Sequence, residues 1–140
     1  MKKMNNKSGF TLLEIIIVII IVGVLASLAL PRFFATVEYS RSTEALAAAT
    51  AIRQALERCY LQRNGDYTAC VDFTVLDIED PANSPNNHFT YAMSGLSATG
   101  YTVTATRNTR DNGDGSSTIV ITQDATTVSR SGTGAFAGIQ

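Results

Sequence analysis

The stretch Gly9-Phe10-Thr11-Leu12-Leu13-Glu14, followed by an Ile- and Val-rich run that ends at Leu30, decides the fold of this chain. Glu14 is the only charged residue between Phe10 and Leu30. As an α-helix this segment would be roughly 31 Å long, close to the thickness of the hydrocarbon core of a bilayer. A carboxylate inside such a segment costs about 2.5–3.5 kcal/mol even on mild insertion scales, so its presence calls for a functional explanation.

The charges are distributed unevenly around this segment. All three lysines, Lys2, Lys3 and Lys7, precede Gly9. By the positive-inside rule they place the leader in the cytoplasm and the rest of the chain outside. From residue 10 onward eight arginines face twelve acidic residues, which leaves a net charge near −4. A nucleic-acid-binding surface needs clustered positive charge, so no nucleic-acid partner is predicted for the single chain.

The two cysteines, Cys59 and Cys70, would lie in a compartment that permits disulfides. Their bridge would close a loop of about a dozen residues and stabilise the fold by roughly 3 kcal/mol in the chain-entropy model. Two free buried thiols are the alternative. A zinc site is poorly supported, because His88 is the only histidine and lies far along the chain, so no metal ligand set is predicted.

The first thirty residues allow three interpretations. In a signal peptide, Ser27-Leu28-Ala29 would be the small-residue cleavage site, but the apolar run is long for that purpose. A plain signal anchor accounts for length and charge and leaves Glu14 unexplained. In the third interpretation the chain is processed between Gly9 and Phe10, which places Glu14 five residues into the mature protein.

Two groups of residues favour the third interpretation. They are Lys7-Ser8-Gly9-Phe10-Thr11-Leu12-Leu13-Glu14 and Gly23-Val24-Leu25-Ala26-Ser27-Leu28-Ala29-Leu30-Pro31. Together they resemble the type IV pilin family, of the type IVa major pilin kind, and its relatives, the type II secretion pseudopilins. The resemblance covers about the first 40 residues. It implies that residues 1–9 are a class III leader, cut after Gly9 by a prepilin peptidase that also N-methylates Phe10.

The filament that the resemblance implies would supply a partner for Glu14. In a filament of packed N-terminal helices it can meet the positively charged amine of Phe10 in a neighbouring subunit, which costs far less than an unpaired charge. Interaction of Glu14 with its own helix dipole is compatible but contributes only about 0.3–1 kcal/mol. The partners implied by the resemblance are other pilin subunits, the prepilin peptidase, the inner membrane before assembly and its pilus assembly machinery.

The helix is predicted to continue beyond the membrane-length segment. Residues 10–30 form its transmembrane or filament-core half and residues 31–63 its amphipathic half. Gly23 and Pro31 are predicted to loosen or kink it, because glycine has low helix propensity and proline removes a backbone donor. Apolar residues recur every three or four positions from Ala45 to Cys59, while Glu38, Arg41 and the charged residues near Glu57 are assigned to a solvated face.

Residues 64–140 are predicted to form a loop and an antiparallel sheet of about four strands, near residues 88–93, 101–106, 117–122 and 126–129. The expected fold is therefore α+β, a pilin fold in which a long N-terminal helix packs on one face of the sheet. Pilins usually carry a disulfide around a C-terminal loop, and this chain departs from that pattern. Ser131-Gly132-Thr133-Gly134 and Gly138 are predicted to be flexible and unpacked.

Catalytic chemistry is not predicted. Asp111-Asn112-Gly113-Asp114-Gly115 resembles a calcium loop, but Arg110 stands where the first acid should be, and a tight turn explains the residues equally well. His88 has no accompanying nucleophile motif and is assigned to a polar strand-edge position. No enzyme activity and no cofactor are expected.

The predicted function is structural. The chain would be an inner-membrane protein with its head outside the cytoplasm, and it would polymerise into a type IV pilus at the cell surface. One alternative is a major pseudopilin of a type II secretion system, which ordered calcium at Asp111 and Asp114 would favour. Another, of a different class, is a soluble secreted binding domain released after Ala29.

Overall fold

The computed structural model describes residues 9–139, so the predictions made for Lys2, Lys3 and Lys7 lie outside the described residues. One long helix is followed by four strands. Their bounds are α1 Leu12–Gln62, β1 Phe89–Ser94, β2 Tyr101–Arg107, β3 Thr118–Gln123 and β4 Val128–Gly132. Single 3₁₀ turns lie at Pro81–Asn83, Arg110–Asn112 and Gly134–Phe136.

The chain divides into two compact units, one that ends at Thr36 and one that begins at Val37. The first unit contains the N-terminal part of α1. The second, which we call the head, contains the rest of α1, the loop after it and the whole sheet. Both Gly23 and Pro31 lie inside the residues assigned to α1.

The sheet of the head is a simple antiparallel meander. Its strand order is β1-β2-β3-β4, and each strand pairs with the next one along the chain. Phe89 lies opposite Arg107 across β1 and β2, and Val103 lies opposite Ile121 across β2 and β3. The predicted α+β fold, with one long helix and four antiparallel strands, is confirmed.

The buried residues of α1 lie at the spacing that the sequence predicted. They are Ser42, Ala45, Ala49, Ile52, Ala55, Leu56 and Cys59. Ile52 and Leu56 pack with Val103 and Ile121 of the sheet in one core cluster, and Ala45 packs with residues of a second cluster. Each fully buried Ile, Leu or Val contributes about 1.5–3 kcal/mol, so this face of α1 is held by the sheet.

A turn at Asn64 and Gly65 ends α1, as predicted. Both residues have positive φ angles, 58° and 83°, and the Gly65 amide donates a hydrogen bond of 2.9 Å to the carbonyl of Tyr60. Glycine reaches this left-handed conformation without steric cost, so the chain reverses immediately after Gln62.

The prediction that Ser131-Gly132-Thr133-Gly134 is unpacked was wrong, whereas Gly138, which was part of the same prediction, is exposed. Gly132 belongs to β4, and the Phe136 side chain is fully buried, with its ring centroid 5.5 Å from that of Phe89. The Ala135 amide donates to Ser117 Oγ at 2.8 Å. Gly134 has a φ of 60°, and a Cβ there would collide with Ser117. The glycines therefore permit a close approach that buries Phe136.

Candidate functional site

The processing junction predicted at Gly9 and Phe10 lies just before α1. Phe10 is 78 % exposed. Apart from its chain neighbours, no atom of the described residues lies within 4 Å of the position that a Cβ of Gly9 would occupy, and the φ of Gly9 is not in the left-handed region. Among the described residues, neither packing nor backbone conformation requires glycine at this position.

Thr11 caps the start of α1. Its carbonyl accepts hydrogen bonds from the amides of Glu14 and Ile15 at 3.1 and 3.3 Å, and its Oγ1 accepts from the Glu14 amide at 3.3 Å. Thr11 and Glu14 have the Thr-x-x-Glu spacing of a capping box, which is a local sequence signal for a helix start. Thr11 thereby fixes the helix start that places Glu14 in the first turn.

The apolar segment from Phe10 to Leu30 is not covered by any other part of the chain that the structure describes. Its large apolar side chains range in exposure from 40 % for Ile16 to 79 % for Leu12. The helix is long and apolar enough to cross a membrane, and no part of its most apolar stretch is buried. Such a surface requires lipid or other apolar helices as its environment.

The disulfide predicted between Cys59 and Cys70 is present in the head. The two Cα atoms are 6.2 Å apart, and both residues are buried. The bridge joins the last turns of α1 to the loop that follows it. Phe89, Val103 and the other sheet residues of the core lie further along the chain, so this disulfide fastens the entry to the sheet and not the C-terminal end of the chain.

Glu57 is not simply part of a solvated face, as the sequence interpretation had it. Its two carboxylate oxygens accept hydrogen bonds from the hydroxyls of Tyr67 at 3.0 Å and Tyr101 at 3.1 Å. Burial, followed by the bond to Glu57, raises the pKa of Tyr67 to about 12. Burial also raises the pKa of Tyr101. Both phenols therefore stay protonated as donors throughout the physiological range and tie α1 to the loop and to β2.

A cluster of charged residues that the sequence did not predict joins α1 to the other end of the sheet. We call it the ionic cluster; it contains Glu38, Arg41, Glu44, His88, Arg107 and Asp111. Its members are separated by up to about 70 positions in the sequence, and only the fold brings them together. The interpretation of Glu38 and Arg41 as a solvated face was therefore wrong.

Arg107 is the buried centre of the ionic cluster. Its side chain is fully buried, and its Nε and Nη2 donate to the two Glu38 oxygens at 2.9 and 3.1 Å. Its Nη1 donates to the carbonyls of His88 and Asn108 at 3.2 and 3.0 Å. The bond from Arg107 holds the pKa of Glu38 below its usual value, so the pair stays ionised at neutral pH. Bidentate pairing and carbonyl acceptors together compensate the burial of the guanidinium.

His88 immediately precedes β1, close to the strand-edge position predicted for it, but its surroundings differ from the prediction. Its Nδ1 lies 2.8 Å from Glu44 Oε2, and its Nε2 lies 2.8 Å from Asp111 Oδ2. The carboxylates on either side come from α1 and from the loop between β2 and β3. No local pattern in the sequence indicates this arrangement, because all three residues are far apart in the chain.

The two acids of the candidate calcium loop have separate partners. Asp111 contacts His88 and, at 3.6 Å, Arg41 Nη2. Asp114 accepts from the amides of Ser116 and Ser117 at 3.0 and 2.9 Å and from the Ser117 hydroxyl, which lowers the pKa of Asp114 to about 2. Within residues 9–139 no three His, Cys, Asp or Glu side chains are grouped so that they could hold a metal ion. Asp114 therefore stabilises a tight turn.

Comparison with known proteins identifies the family. A family model described as "Type IV minor pilin ComP, DNA uptake sequence receptor" matches residues 31–119, and one described as "Prokaryotic N-terminal methylation motif" matches residues 4–30. The type IV major alpha-pilin of Moraxella bovis is 32 % identical over 135 residues, covering 89 % of this chain and 82 % of that protein.

Other relatives match a smaller share of the chain. Type II secretion system core protein G of Vibrio cholerae is 39 % identical over 57 residues, or 41 % of this chain and 39 % of that protein. A probable minor fimbrial protein of Dichelobacter nodosus is 48 % identical over 59 residues, or 42 % of this chain and 35 % of that protein. The chain thus spans about two fifths of the length of these two relatives. The match to residues 31–119 and the long alignment with the Moraxella protein together show that this chain belongs to the type IV pilin family.

Proposed function

We propose that this protein is a structural subunit that polymerises into a type IV pilus after cleavage between Gly9 and Phe10. The observation that carries the proposal is the uncovered apolar segment from Phe10 to Leu30. At about 1.5–3 kcal/mol for each buried Ile, Leu or Val, exposing this segment to water would cost tens of kcal/mol. The segment therefore passes from one apolar environment, the inner membrane, to another, the packed helices of a filament.

The charges define the orientation of the chain in the membrane before assembly. Lys2, Lys3 and Lys7 keep the N-terminus in the cytoplasm, where a prepilin peptidase would cut after Gly9 and methylate Phe10. The N-terminal methylation motif matched over residues 4–30 supports this step. The head would then lie outside the cytoplasm, in a compartment where the disulfide between Cys59 and Cys70 is stable.

Glu14 would set the register of subunits in the filament. Cleavage creates a positively charged amine on Phe10, and an ionised pair between that amine and Glu14 of a neighbour removes the cost of a lone carboxylate in an apolar environment. Because only one charge of each sign lies in this part of the helix, other registers leave both charges unpaired. Gly23 and Pro31 are proposed to let α1 loosen or kink during packing.

Two measurements test the proposal. Mass spectrometry of the mature protein is expected to show N-methylated Phe10 as the first residue; a chain that begins at Leu30 would instead establish a secreted domain. Electron microscopy of cells carrying Glu14→Ala is expected to show no filaments, while the protein is inserted in the membrane at a normal level. The matched control is Glu79→Ala, at an exposed position of the head, which should leave filaments intact. Abundant normal filaments with Glu14→Ala would contradict the pairing mechanism.

The secretion pseudopilins remain the second candidate. The match to the Vibrio cholerae protein covers 41 % of this chain and 39 % of that protein, whereas the Moraxella pilin aligns over most of both chains. The extent of that alignment favours the pilin. Deletion of the gene distinguishes the two: loss of surface filaments with normal protein secretion is expected, and a secretion defect with normal filaments would support the pseudopilin.

The description of the matching family model as a DNA uptake sequence receptor belongs to that family model. For this chain we propose no DNA binding by a single subunit. Arg107 is buried against Glu38, and Arg41 is paired with Glu38 and Asp111, so these arginines do not contribute free positive charge. Mobility-shift assays of the mature protein in detergent at low salt are expected to show no complex with duplex DNA.

A further inference from the structure

His88 lies between two carboxylates that come from different elements. Its Nδ1 is 2.8 Å from Glu44 Oε2 on α1, and its Nε2 is 2.8 Å from Asp111 Oδ2 in the loop of residues 108–117, which joins β2 to β3. Asp111 has a positive φ of 50°, as does its neighbour Asn112 at 62°. The imidazole therefore connects a tightly turned loop to the helix.

The number of protons on the ring decides how many of these bonds can form. A neutral imidazole has one N–H donor, and its other nitrogen is an acceptor. Ionised carboxylates only accept, so hydrogen bonds to both Glu44 and Asp111 require the doubly protonated imidazolium. Loss of one proton leaves a nitrogen lone pair facing a carboxylate, and that contact changes from attractive to repulsive.

The two carboxylates are not equivalent. Glu44 Oε1 also accepts a hydrogen bond of 3.0 Å from the His88 backbone amide, which does not depend on the protonation of the ring. The Glu44 side chain is 37 % exposed and that of Asp111 is 58 % exposed. Glu44 therefore keeps the single N–H of the neutral ring, and Asp111 is the residue that loses its bond.

Three arginines also lie near His88 and its loop. Arg107 donates to the His88 carbonyl, and Arg41 donates to the Asp111 carbonyl at 3.4 Å and lies 3.6 Å from its carboxylate. Arg110, in the same loop, donates to the carbonyl of Pro85. Guanidinium groups in proteins do not lose their proton, so all three arginines stay charged. The bond to His88, aided by Arg41, lowers the pKa of Asp111, so this carboxylate is ionised at mildly acidic pH.

We propose that His88 is a pH-sensitive clasp, which holds the loop of residues 108–117 against α1 at mildly acidic pH and releases Asp111 as the pH rises. Histidine is the side chain whose charge ordinarily changes near neutral pH, and the transition of the clasp follows loss of the second ring proton. Below it both bonds are complete. Above it the loop is held only by its contacts with arginine and with the backbone.

Hydrogen exchange of the full mature chain in detergent micelles tests the clasp. The reporter is the Gly113 amide, which donates to the Arg110 carbonyl at 3.0 Å inside the loop. Its protection factor, corrected for the intrinsic pH dependence of exchange, is expected to fall roughly two- to tenfold between pH 5.5 and 7.5, as the loss of one hydrogen bond implies. The Thr127 amide, held by Asp124 in the turn between β3 and β4, is the internal control and should not change.

Two variants complete the test. In His88→Gln the ring is gone while the backbone bond to Glu44 can remain, so Gly113 protection should be low and independent of pH. In Asp111→Asn the pH dependence should also disappear. Unchanged Gly113 protection in the unmodified protein, or the same pH response in His88→Gln, would overturn the proposal. Ring ¹⁵N shifts of His88 in the unmodified protein provide a check that needs no variant: the doubly protonated form is expected at pH 5.5, and a neutral ring there would overturn the clasp.

Discussion

The side chains of the N-terminal unit and those of the head find their partners in different places. From Phe10 to Leu30 the large apolar residues are exposed and a single carboxylate stands among them. In the head, even a fully buried arginine has a bidentate carboxylate and two carbonyls as partners. The first unit is therefore shaped by molecules outside the chain, lipids and other subunits, and the second by contacts within it. Substitutions in the first unit should therefore affect processing and filament formation, and substitutions in the head should affect the free energy of unfolding.

The largest effect is expected at the processing junction. Gly9→Leu should abolish processing and filament formation, because the junction loses its small residue, while the head keeps its stability, since Gly9 makes no close contact among the described residues. Mass spectrometry and electron microscopy measure the first two outcomes, and near-ultraviolet circular dichroism of the tyrosines in urea measures the third. For processing alone, Gly23→Ala is the matched control, because Gly23 lies outside the junction. Normal processing of Gly9→Leu would contradict the role of the junction.

The next largest effect concerns the buried tail of the head. Phe136→Ala should lower the free energy of unfolding by about 3–5 kcal/mol, because it leaves a cavity beside Phe89. Urea unfolding of the mature protein in micelles measures this loss. The exposed neighbour Ala137, changed to Ser, should alter stability by no more than about 0.5 kcal/mol. Equal, small effects of both changes would mean that the tail does not contribute to the core.

Removal of the disulfide is expected to lower the free energy of unfolding slightly less than Phe136→Ala does. Replacing both Cys59 and Cys70 by Ala should lower the free energy of unfolding by about 3 kcal/mol, since the bridge closes a loop of eleven-residue separation. The measurement is urea unfolding of the variant beside the unmodified protein under oxidising conditions. Adding reductant should then lower the free energy of unfolding of the unmodified protein only. If reductant also lowers that of the variant, the difference between the two proteins does not come from the disulfide alone.

Loss of the buried ion pair should have a smaller effect. Glu38→Ala leaves the Arg107 guanidinium without its bidentate partner, but the carbonyls of His88 and Asn108 remain. Removing one partner of a buried charged group then costs about 2–3 kcal/mol of unfolding free energy. Arg58→Ala, on the exposed side of α1, is the matched control and should be nearly neutral. If Glu38→Ala leaves the free energy of unfolding unchanged, the pair between Glu38 and Arg107 does not help to hold the sheet to α1.

The smallest effect is the acid dependence of the Asp114 turn. Folding lowers the pKa of this carboxyl from 3.8 to about 2, so its contribution is present above pH 3.8 and is lost as the pH falls toward 2. Comparison of urea midpoints at pH 5 and pH 2.5 should show a smaller decrease in Asp114→Asn than in the unmodified protein. Asp124→Asn, in the turn between β3 and β4, provides a second turn for comparison. Parallel decreases in Asp114→Asn and the unmodified protein would show that Asp114 does not contribute.

Local patterns explain which parts of the structure were predictable. The spacing of Ala45, Ile52 and Cys59 predicted the buried face of α1, and alternating residues predicted β1 and β2. The strand predicted at 126–129 corresponds to β4, which begins two residues later, at Val128. The tail was assigned wrongly because its glycines were interpreted as flexibility, whereas Gly134 allows contact with Ser117. The ionic cluster was missed for a different reason: Glu44 and His88 are 44 positions apart, and no local pattern relates them.

The sequence by itself determined the N-terminal unit and the family. One charge in a membrane-length apolar run, preceded by lysines and a Gly-Phe junction, is information contained in consecutive residues, because the bilayer and neighbouring helices respond to composition and length. Only the tertiary structure decided the role of the charged residues in the head. Whether Glu38, Glu44 and Asp111 are solvated or paired depends on which side chains the sheet brings to α1, and that is fixed by packing between residues distant in the chain.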